Sequence, residues 1–368
     1  MKPFIEIFFI FVFPMAKPHK NIVFYLLSLL YTGVTQLRNL LFDKKILRSV
    51  KFSLSVIGVG NLAVGGTGKT PHTEFLLRIL KDYRTAVLSR GYKRNTRGFV
   101  LAGEKSDAGH IGDEPFQIFS KFPKTVVAVD EKRVHGVEEL MKRFPETEII
   151  ILDDAFQHRH IQAGLNILLT DYKLLFTNDN MLPYGTLREL PKNSERADVV
   201  VITKCPAGAD LDESRYRRQL NLLSHQELYF SAFEYGSICP VFPDNPVSVR
   251  LNSEVTVLLV TGIENPEPMS QYLKQTVGSF VELTFPDHHN FSKRDLGEIE
   301  KKFYEITGEK FILTTEKDAA RLKSNRFVSE AIKNNIFALP LEVKILNDKH
   351  EKFIHKIYDY VRKNSTDS

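Results

Sequence analysis

From Phe52 onward, short runs of aliphatic and β-branched residues alternate with stretches whose apolar positions recur at three- and four-residue steps. The runs near 54–60, 84–89, 125–129, 148–153, 165–170 and 198–203 predict strands, with helices in several of the gaps. That alternation is the rhythm of βαβ units around a mainly parallel sheet. A second series predicts strands near 255–260, 280–285, 310–315 and 336–341, helices near 267–276 and 293–306, and a closing helix near 348–363. Between the two series, residues 234–252 are rich in Pro, Gly, Ser and Asn, as a connector is. The expected fold is α/β: a mainly parallel sheet flanked by helices over 49–235, and a second, smaller α/β lobe over 253–368.

Residues 1–48 stand apart as an extension. Asn21 to Leu37 carries no charge, and Leu27, Leu30, Val34, Leu37 and Leu41 fall along one helical face. These seventeen residues are at the short end of the roughly 17–25 that span a bilayer. Ser28, Thr32, Thr35, Gln36 and Asn39 dilute their hydrophobicity further, so the pattern predicts an amphipathic helix lying in a membrane interface. A second reading is a helix packed on the protein's own core. Upstream, Ile7 to Ala16 is another charge-free run that resembles a signal-peptide apolar region, an N-terminal extension, or sequence ahead of a start at Met15.

Charge sharpens this picture. The net charge is +5, yet residues 1–51 hold eight Lys or Arg against only Glu6 and Asp43, so the rest of the chain is nearly neutral. Arg38, Lys44, Lys45 and Arg48 flank the apolar helix, where each contributes about 1 kcal/mol toward an anionic surface. The basic charge therefore points to the cytosolic face of a membrane and not to nucleic acid. A length of 368 residues exceeds one simple core, and 43% hydrophobic content with 27 Phe and 13 Tyr excludes disorder. Cys205 and Cys239 alone supply neither a disulfide framework nor a four-thiolate zinc site, which leaves a reducing cytosol as the natural setting.

The predicted first strand runs into Ala63-Val64-Gly65-Gly66-Thr67-Gly68-Lys69-Thr70 and then an apolar helix containing Phe75, Leu76, Leu77 and Ile79. This is a P-loop. Successive backbone N–H groups curl around the nucleotide phosphates, Lys69 reaches their oxygens, and Thr70 offers a hydroxyl to Mg²⁺. Ala63 replaces the usual first glycine, while Gly65, Gly66 and Gly68 keep the loop pliable. Asp153 and Asp154, ending the strand from Glu148, are the carboxylates for the metal's water shell. Thr203-Lys204-Cys205-Pro206 lacks the aspartate with which GTP-specific P-loop proteins read guanine, so ATP is the expected nucleotide. Further polar clusters fall at expected strand-to-helix turns: Ser89-Arg90-Gly91-Tyr92, Gly112-Asp113-Glu114-Pro115, Gln157-His158-Arg159-His160, Leu187-Arg188-Glu189 and Asp287-His288-His289. Each alone is also compatible with a solvated turn or a capping group.

Taken in order, VGNLAVGGTGKTP (59–71), SRGY (89–92), GDEP (112–115), LDDAFQHR (152–159), LPYGTLRE (182–189), TGIENP (261–266), DHHNF (287–291) and TTEKDAARL (314–322) resemble the tetraacyldisaccharide 4'-kinases of lipid A synthesis. The resemblance implies a P-loop NTPase-like kinase with ATP and Mg²⁺ as cofactors. It implies a lipid A disaccharide precursor in the membrane as acceptor, and work at the cytosolic face of the bacterial inner membrane. It also implies Asp113 as catalytic aspartate and His288 as its partner; Ala155 stands where the family most often has Gly. Lys69 and Arg188 are expected to neutralise the transferring phosphoryl group, Glu114 to join Thr70, Asp153 and Asp154 near the metal, and Arg90, Gln157, His158 and Glu189 to contact substrate. Because Asp113 and His288 fall in different expected lobes, lobe closure is expected to assemble them. No nucleic acid and no obligate protein partner is expected. Two other classes remain at this stage: a metallochaperone-type P-loop ATPase holding metal through DHH and QHRH, and a membrane-associated nucleotide sensor without turnover.

Overall fold

The computed structural model describes residues 21–242 and 249–366, so the apolar run at 7–16 and part of the predicted connector lie outside it. In chain order the first elements are α1 (Ile22–Asp43), β1 (Ser55–Asn61), α2 (Lys69–Ile79), β2 (Thr85–Ser89), β3 (Val100–Leu101), α3 (Ala108–Ile111), α4 (Asp113–Lys121), β4 (Val126–Val129), α5 (Arg133–Arg143) and β5 (Ile149–Asp153). Then follow β6 (Leu165–Asp171), β7 (Val199–Thr203), α6 (Glu213–Gln219), β8 (Glu227–Tyr235), β9 (Cys239–Pro240), β10 (Thr256–Thr261), α7 (Glu267–Thr276) and β11 (Ser279–Thr284). The chain closes with α8 (Lys293–Glu305), β12 (Lys310–Thr315), α9 (Glu316–Lys323), α10 (Glu330–Lys333), β13 (Ile336–Leu339), β14 (Leu341–Ile345) and α11 (His350–Thr366).

The predicted strands coincide with β1, β2, β4 to β7 and β10 to β13, and the predicted helices near 267, 293 and 348 with α7, α8 and α11. Two long elements escaped the pattern. β8 mixes Tyr, Phe, Ser and Glu and lacks either period, and α9 begins directly at the end of β12, leaving no turn signal between them.

The chain divides into two compact units, with boundaries after Lys69, Asp153, Ala232 and Lys344. The first contains α1, β1, β6, β7, most of β8 and α11. Its strands are parallel: Ile57 stands opposite Leu165, Ile167 opposite Val199, and Val199 opposite Glu227. β1 is buried at every position, as a strand covered on both faces must be, which is why its centre, Val56 to Gly60, shows no apolar–polar alternation. The terminal helix α11 locks onto β1, where the Tyr360 hydroxyl donates to Val56 O at 2.9 Å and accepts from Val56 N at 3.0 Å. Only glycine fits at 164, since a Cβ there would come within 2.4 Å of that hydroxyl.

The second unit holds two sheets. In one, β5, β2 and β4 run parallel and the short β3 pairs antiparallel with β4. In the other, β11, β10, β12 and β13 run parallel and β9 closes the edge antiparallel to β13. Ile111, Phe116, Val129 and Ala320 form a buried cluster that packs α9 against α4. Ser292 and Asp295 cap α8 reciprocally, and the Thr315 side chain caps α9 through Asp318 N. The observed architecture is thus the expected α/β one, with mainly parallel sheets flanked by helices. Among the described residues, no helix is long and apolar enough to cross a membrane.

Candidate active site

In the first unit, β1 delivers the chain into the P-loop, and the segment at 186–188 pins the loop's entry. Val64 N donates to Thr186 O at 2.8 Å and Arg188 N to Leu62 O at 2.7 Å. Gly65 and Gly68 have φ of 102° and 89°, values that L side chains rarely adopt, so the loop's reversal depends on them. Thr203, at the end of β7, holds the loop from the side by donating to Thr67 O at 2.9 Å. The Lys69 ammonium lies 3.7 Å from Asp154. Arg188 grips the same carboxylate with both terminal nitrogens, at 3.0 and 2.7 Å, and also donates to Asn61 Oδ1.

Asp154 has a φ of 50°, an unusual backbone state for a residue with a side chain, which typically costs about 1–3 kcal/mol. Burial raises the pKa of its carboxyl, but Arg188 and Lys69 outweigh burial and hold it well below the usual carboxylate range. An anion introduced here meets two cations already partly neutralised by one aspartate.

Helix α1 rests against this cradle with its polar side inward. Ser28, Asn39 and Phe42 are its buried residues, whereas Ile22, Leu26, Leu29, Leu30, Leu37 and Leu40 are all exposed, Leu30 by 68%. Besides the packing of Phe42 against His160, the contacts beneath it are mostly polar. Tyr31 donates to Arg188 O at 3.0 Å, Arg38 to Gln157 O at 2.8 Å, and Asn39 to Glu189 Oε2 at 3.1 Å. Arg159 pairs with Asp43 at 2.6 Å and Arg196 with Glu189 at 2.6 Å. Burial pushes the Tyr31 hydroxyl up to about 12. Gln157 therefore links α1 to Asn61, whose carbonyl accepts from its amide at 2.9 Å. Glu189 faces Asn39 and Arg196.

His158 also lies in the first unit, whereas the second unit carries Thr70, Arg90, Asp113, Glu114, Asp153 and His288. Asp153 is buried at the end of β5 and accepts from Ser89 Oγ at 3.3 Å, and Arg90 follows β2 half-buried. Asp113 opens α4 directly after Gly112, whose φ of 95° turns the chain into the helix. His288, at a φ of 62°, places Nδ1 2.5 Å from Asp113 Oδ2. The pair is therefore complete within a single unit, and the expectation that lobe closure must assemble it is corrected. The predicted lobes followed chain order, whereas α4 and the turn after β11 meet in space.

A third member was missed. Arg321 on α9 donates from Nε to Asp113 Oδ1 at 3.0 Å and from Nη2 to Oδ2, and its other terminal nitrogen holds Asp318 at 2.9 Å. Asp318 in turn accepts from Gly262 N at 2.8 Å. Burial raises the pKa of Asp113, but the hydrogen bonds from His288 and Arg321 overcome it and keep the carboxyl well below its ordinary range. On the far side of the imidazole, Lys317 Nζ stands 3.2 Å from His288 Nε2 and 3.3 Å from Asp287 Oδ1. Each ring nitrogen thus faces both a carboxylate and a cation, because Nδ1 also lies 3.1 Å from Arg321 Nη2 and Nε2 lies 3.5 Å from Asp287 Oδ2. The available signal was the i, i+4 pair Lys317 and Arg321 in TTEKDAARL, two cations on one helical face just past a strand.

Protein groups partner both histidines of DHH and His160 of QHRH. His289 contacts Asp295 at 2.9 Å and His160 approaches Arg48 O at 3.2 Å. Among the described residues, no group of three or more His, Cys, Asp or Glu is placed to hold a metal ion.

A family model described as tetraacyldisaccharide-1-P 4'-kinase matches residues 20–361. The chain belongs to that family. Membership makes it a phosphotransferase and agrees with the order of motifs from the P-loop to TTEKDAARL. Among similar proteins, the tetraacyldisaccharide 4'-kinase of Bacteroides thetaiotaomicron is 48% identical over 96% of both chains. That of Flavobacterium johnsoniae is 44% identical over 92% of this chain and 96% of its own. A crystal structure of LpxK from Aquifex aeolicus in complex with ATP superposes with a TM-score of 0.71 at 30% identity, covering 91% of this chain and 97% of that one.

Proposed function

We propose that this chain is an ATP-dependent lipid kinase that transfers the γ-phosphate of ATP to the 4'-hydroxyl of a tetraacyldisaccharide 1-phosphate. The observation that carries the reading is the Asp113–His288–Arg321 cluster, in a chain that also gathers the P-loop Lys69 and the neighbouring Arg188 around one carboxylate. Phosphoryl transfer is mostly positioning and charge neutralisation. Lys69 and Arg188 supply the charge, and the cradle's backbone N–H groups fix the phosphates. Asp113 orients the sugar hydroxyl and takes its proton as the bond to phosphorus forms, while His288 and Arg321 hold that carboxylate in place.

Mg²⁺ fits the donor set, since it keeps much of its water shell and takes one or two carboxylates beside the phosphates. Asp154 is engaged by Arg188 and Lys69, so Thr70 and Asp153 are the proposed direct ligands, with Glu114 as a further acceptor for the water shell. When bound, the ion neutralises charge on the β- and γ-phosphates. Arg90, Gln157 and His158 are the proposed substrate contacts, and Glu189 shapes that surface through Asn39 of α1.

The outward leucines of α1 support work at a membrane surface, proposed here as the cytosolic face of the inner membrane. A four-chain acceptor is costly to extract, at about 0.8 kcal/mol per exposed CH₂. The test is transfer of label from γ-³²P-ATP to tetraacyldisaccharide 1-phosphate in detergent micelles with Mg²⁺. Labelled lipid with wild type, and a loss of about 10³-fold with Lys69→Ala, is expected. ATP hydrolysis with no labelled lipid would refute the acceptor.

A further inference from the structure

Away from Asp113, the second unit buries another group of charges that this reaction does not use. Glu74 on α2 has 1% of its side chain exposed. Its Oε1 accepts from Gln117 Nε2 at 2.7 Å and its Oε2 from Lys121 Nζ at 2.6 Å. The same ammonium donates to Glu316 Oε1, and Glu316 Oε2 accepts from Leu341 N at 3.1 Å. Arg78 lies farther out, 3.7 Å from Glu74 and 3.8 Å from Glu342. One lysine is thus shared by two carboxylates. Burial first, and then the neighbouring Glu316, push the Glu74 carboxyl upward, while Lys121 pulls it down.

Such a group is a poor device for stability alone. Well-packed apolar side chains of similar volume serve as well or better, because burying ions costs several kcal/mol each. What the ions add is direction, and three helices converge on them. α2 carries Thr70 in its first turn, α4 begins at Asp113, and α9 begins at Glu316 and continues to Lys317 and Arg321. Lys121 is the last residue of α4, about 12 Å along the axis from Asp113 at 1.5 Å per residue.

We propose that Lys121 is a positioning residue for phosphoryl transfer: by binding Glu74 and Glu316 together it fixes α4 between α2 and α9 and so aims the Asp113 carboxylate. The proposal deepens the kinase reading and rests on it. Rotation of α4 displaces Asp113 from its working position, and misplacement by about 1 Å costs on the order of 10²-fold in rate.

The test compares full-length wild type, Lys121→Met, Lys121→Arg and the triple variant Lys121→Met/Glu74→Gln/Glu316→Gln in the micelle assay. Lys121→Met alone leaves two facing carboxylates without their lysine and is expected to lower Tm, so it does not decide the matter. The triple variant removes the charges at nearly constant volume and is expected to recover Tm, with kcat still about tenfold or more below wild type and the KM for ATP within about twofold. Lys121→Arg, whose fork reaches two carboxylates, is expected to retain most of kcat. Wild-type kcat in the triple variant overturns the proposal. Backbone amide exchange over residues 113–121 is read on the same proteins without acceptor and is expected to quicken in the triple variant. If wild type labels no lipid, the kinase reading fails separately, and unchanged exchange then overturns the positioning role.

Discussion

Asp113→Asn is expected to lower kcat by about 10²- to 10⁴-fold, the range associated with a general base, while the Kd for ATP stays within about twofold. The amide matches the carboxylate in shape and can still accept from one donor, but it takes no proton and carries no charge to oppose Arg321. ATP affinity is expected to be spared because the phosphate cradle is built from Lys69, Arg188 and the loop glycines. The fold is spared as well, since Arg321 keeps its bond to Asp318. The measurement is single-turnover labelling of the lipid beside a nucleotide-binding titration. Turnover within threefold of wild type removes Asp113 from the chemistry.

The charge state of Asp113 adds a condition on pH. Because its folded pKa is depressed, its stabilising pairing is fully present above the ordinary aspartate value of about 3.9 and is lost only as pH falls through the lower folded value. Asp113 therefore stays ionised across neutral pH. An aspartate held this firmly is a weak base, which suits a loose transition state in which the hydroxyl proton leaves late.

How far the sequence discloses these arrangements depends on the kind of information each one needs. The strands around the P-loop are largely buried and read as short runs rich in Val, Ile and Leu, and the loop itself requires glycine at defined positions, so both are visible along the chain. The Asp113–His288 contact was expected from a resemblance, but its place within one unit was not, because linear order cannot tell which strand ends share an edge. Arg321 and the Lys121 group were hidden for a related reason. A charged residue on an amphipathic helix reads as solvated until its neighbours are known, and Glu74, Lys121 and Glu316 come from three separate helices. α1 shows a different limit. Its apolar stripe was legible, yet whether leucine or asparagine faces the protein depends on what waits beneath, and here that is Glu189, Arg159 and the Gln157 carbonyl.

That inversion gives the second large expectation. The combined variant Leu26→Gln/Leu29→Gln/Leu30→Gln/Leu37→Gln is expected to lose membrane binding by about 10³- to 10⁴-fold. The four side chains are between 51% and 68% exposed. Burying what remains of each contributes about 1–1.5 kcal/mol, or about 4–6 kcal/mol together, at 1.4 kcal/mol per factor of ten. Exposed leucines stabilise the free protein little, so Tm is expected to hold. Asn39→Leu is the opposite experiment. It adds apolar surface but strips Glu189, 1% exposed, of one donor, and is expected to lower Tm without weakening the outer face. Cosedimentation with anionic vesicles separates the two. Lys44, Lys45 and Arg48 survive in the four-leucine variant, so its residual binding should fade as salt rises. Undiminished, salt-insensitive binding would place the anchor elsewhere in the chain.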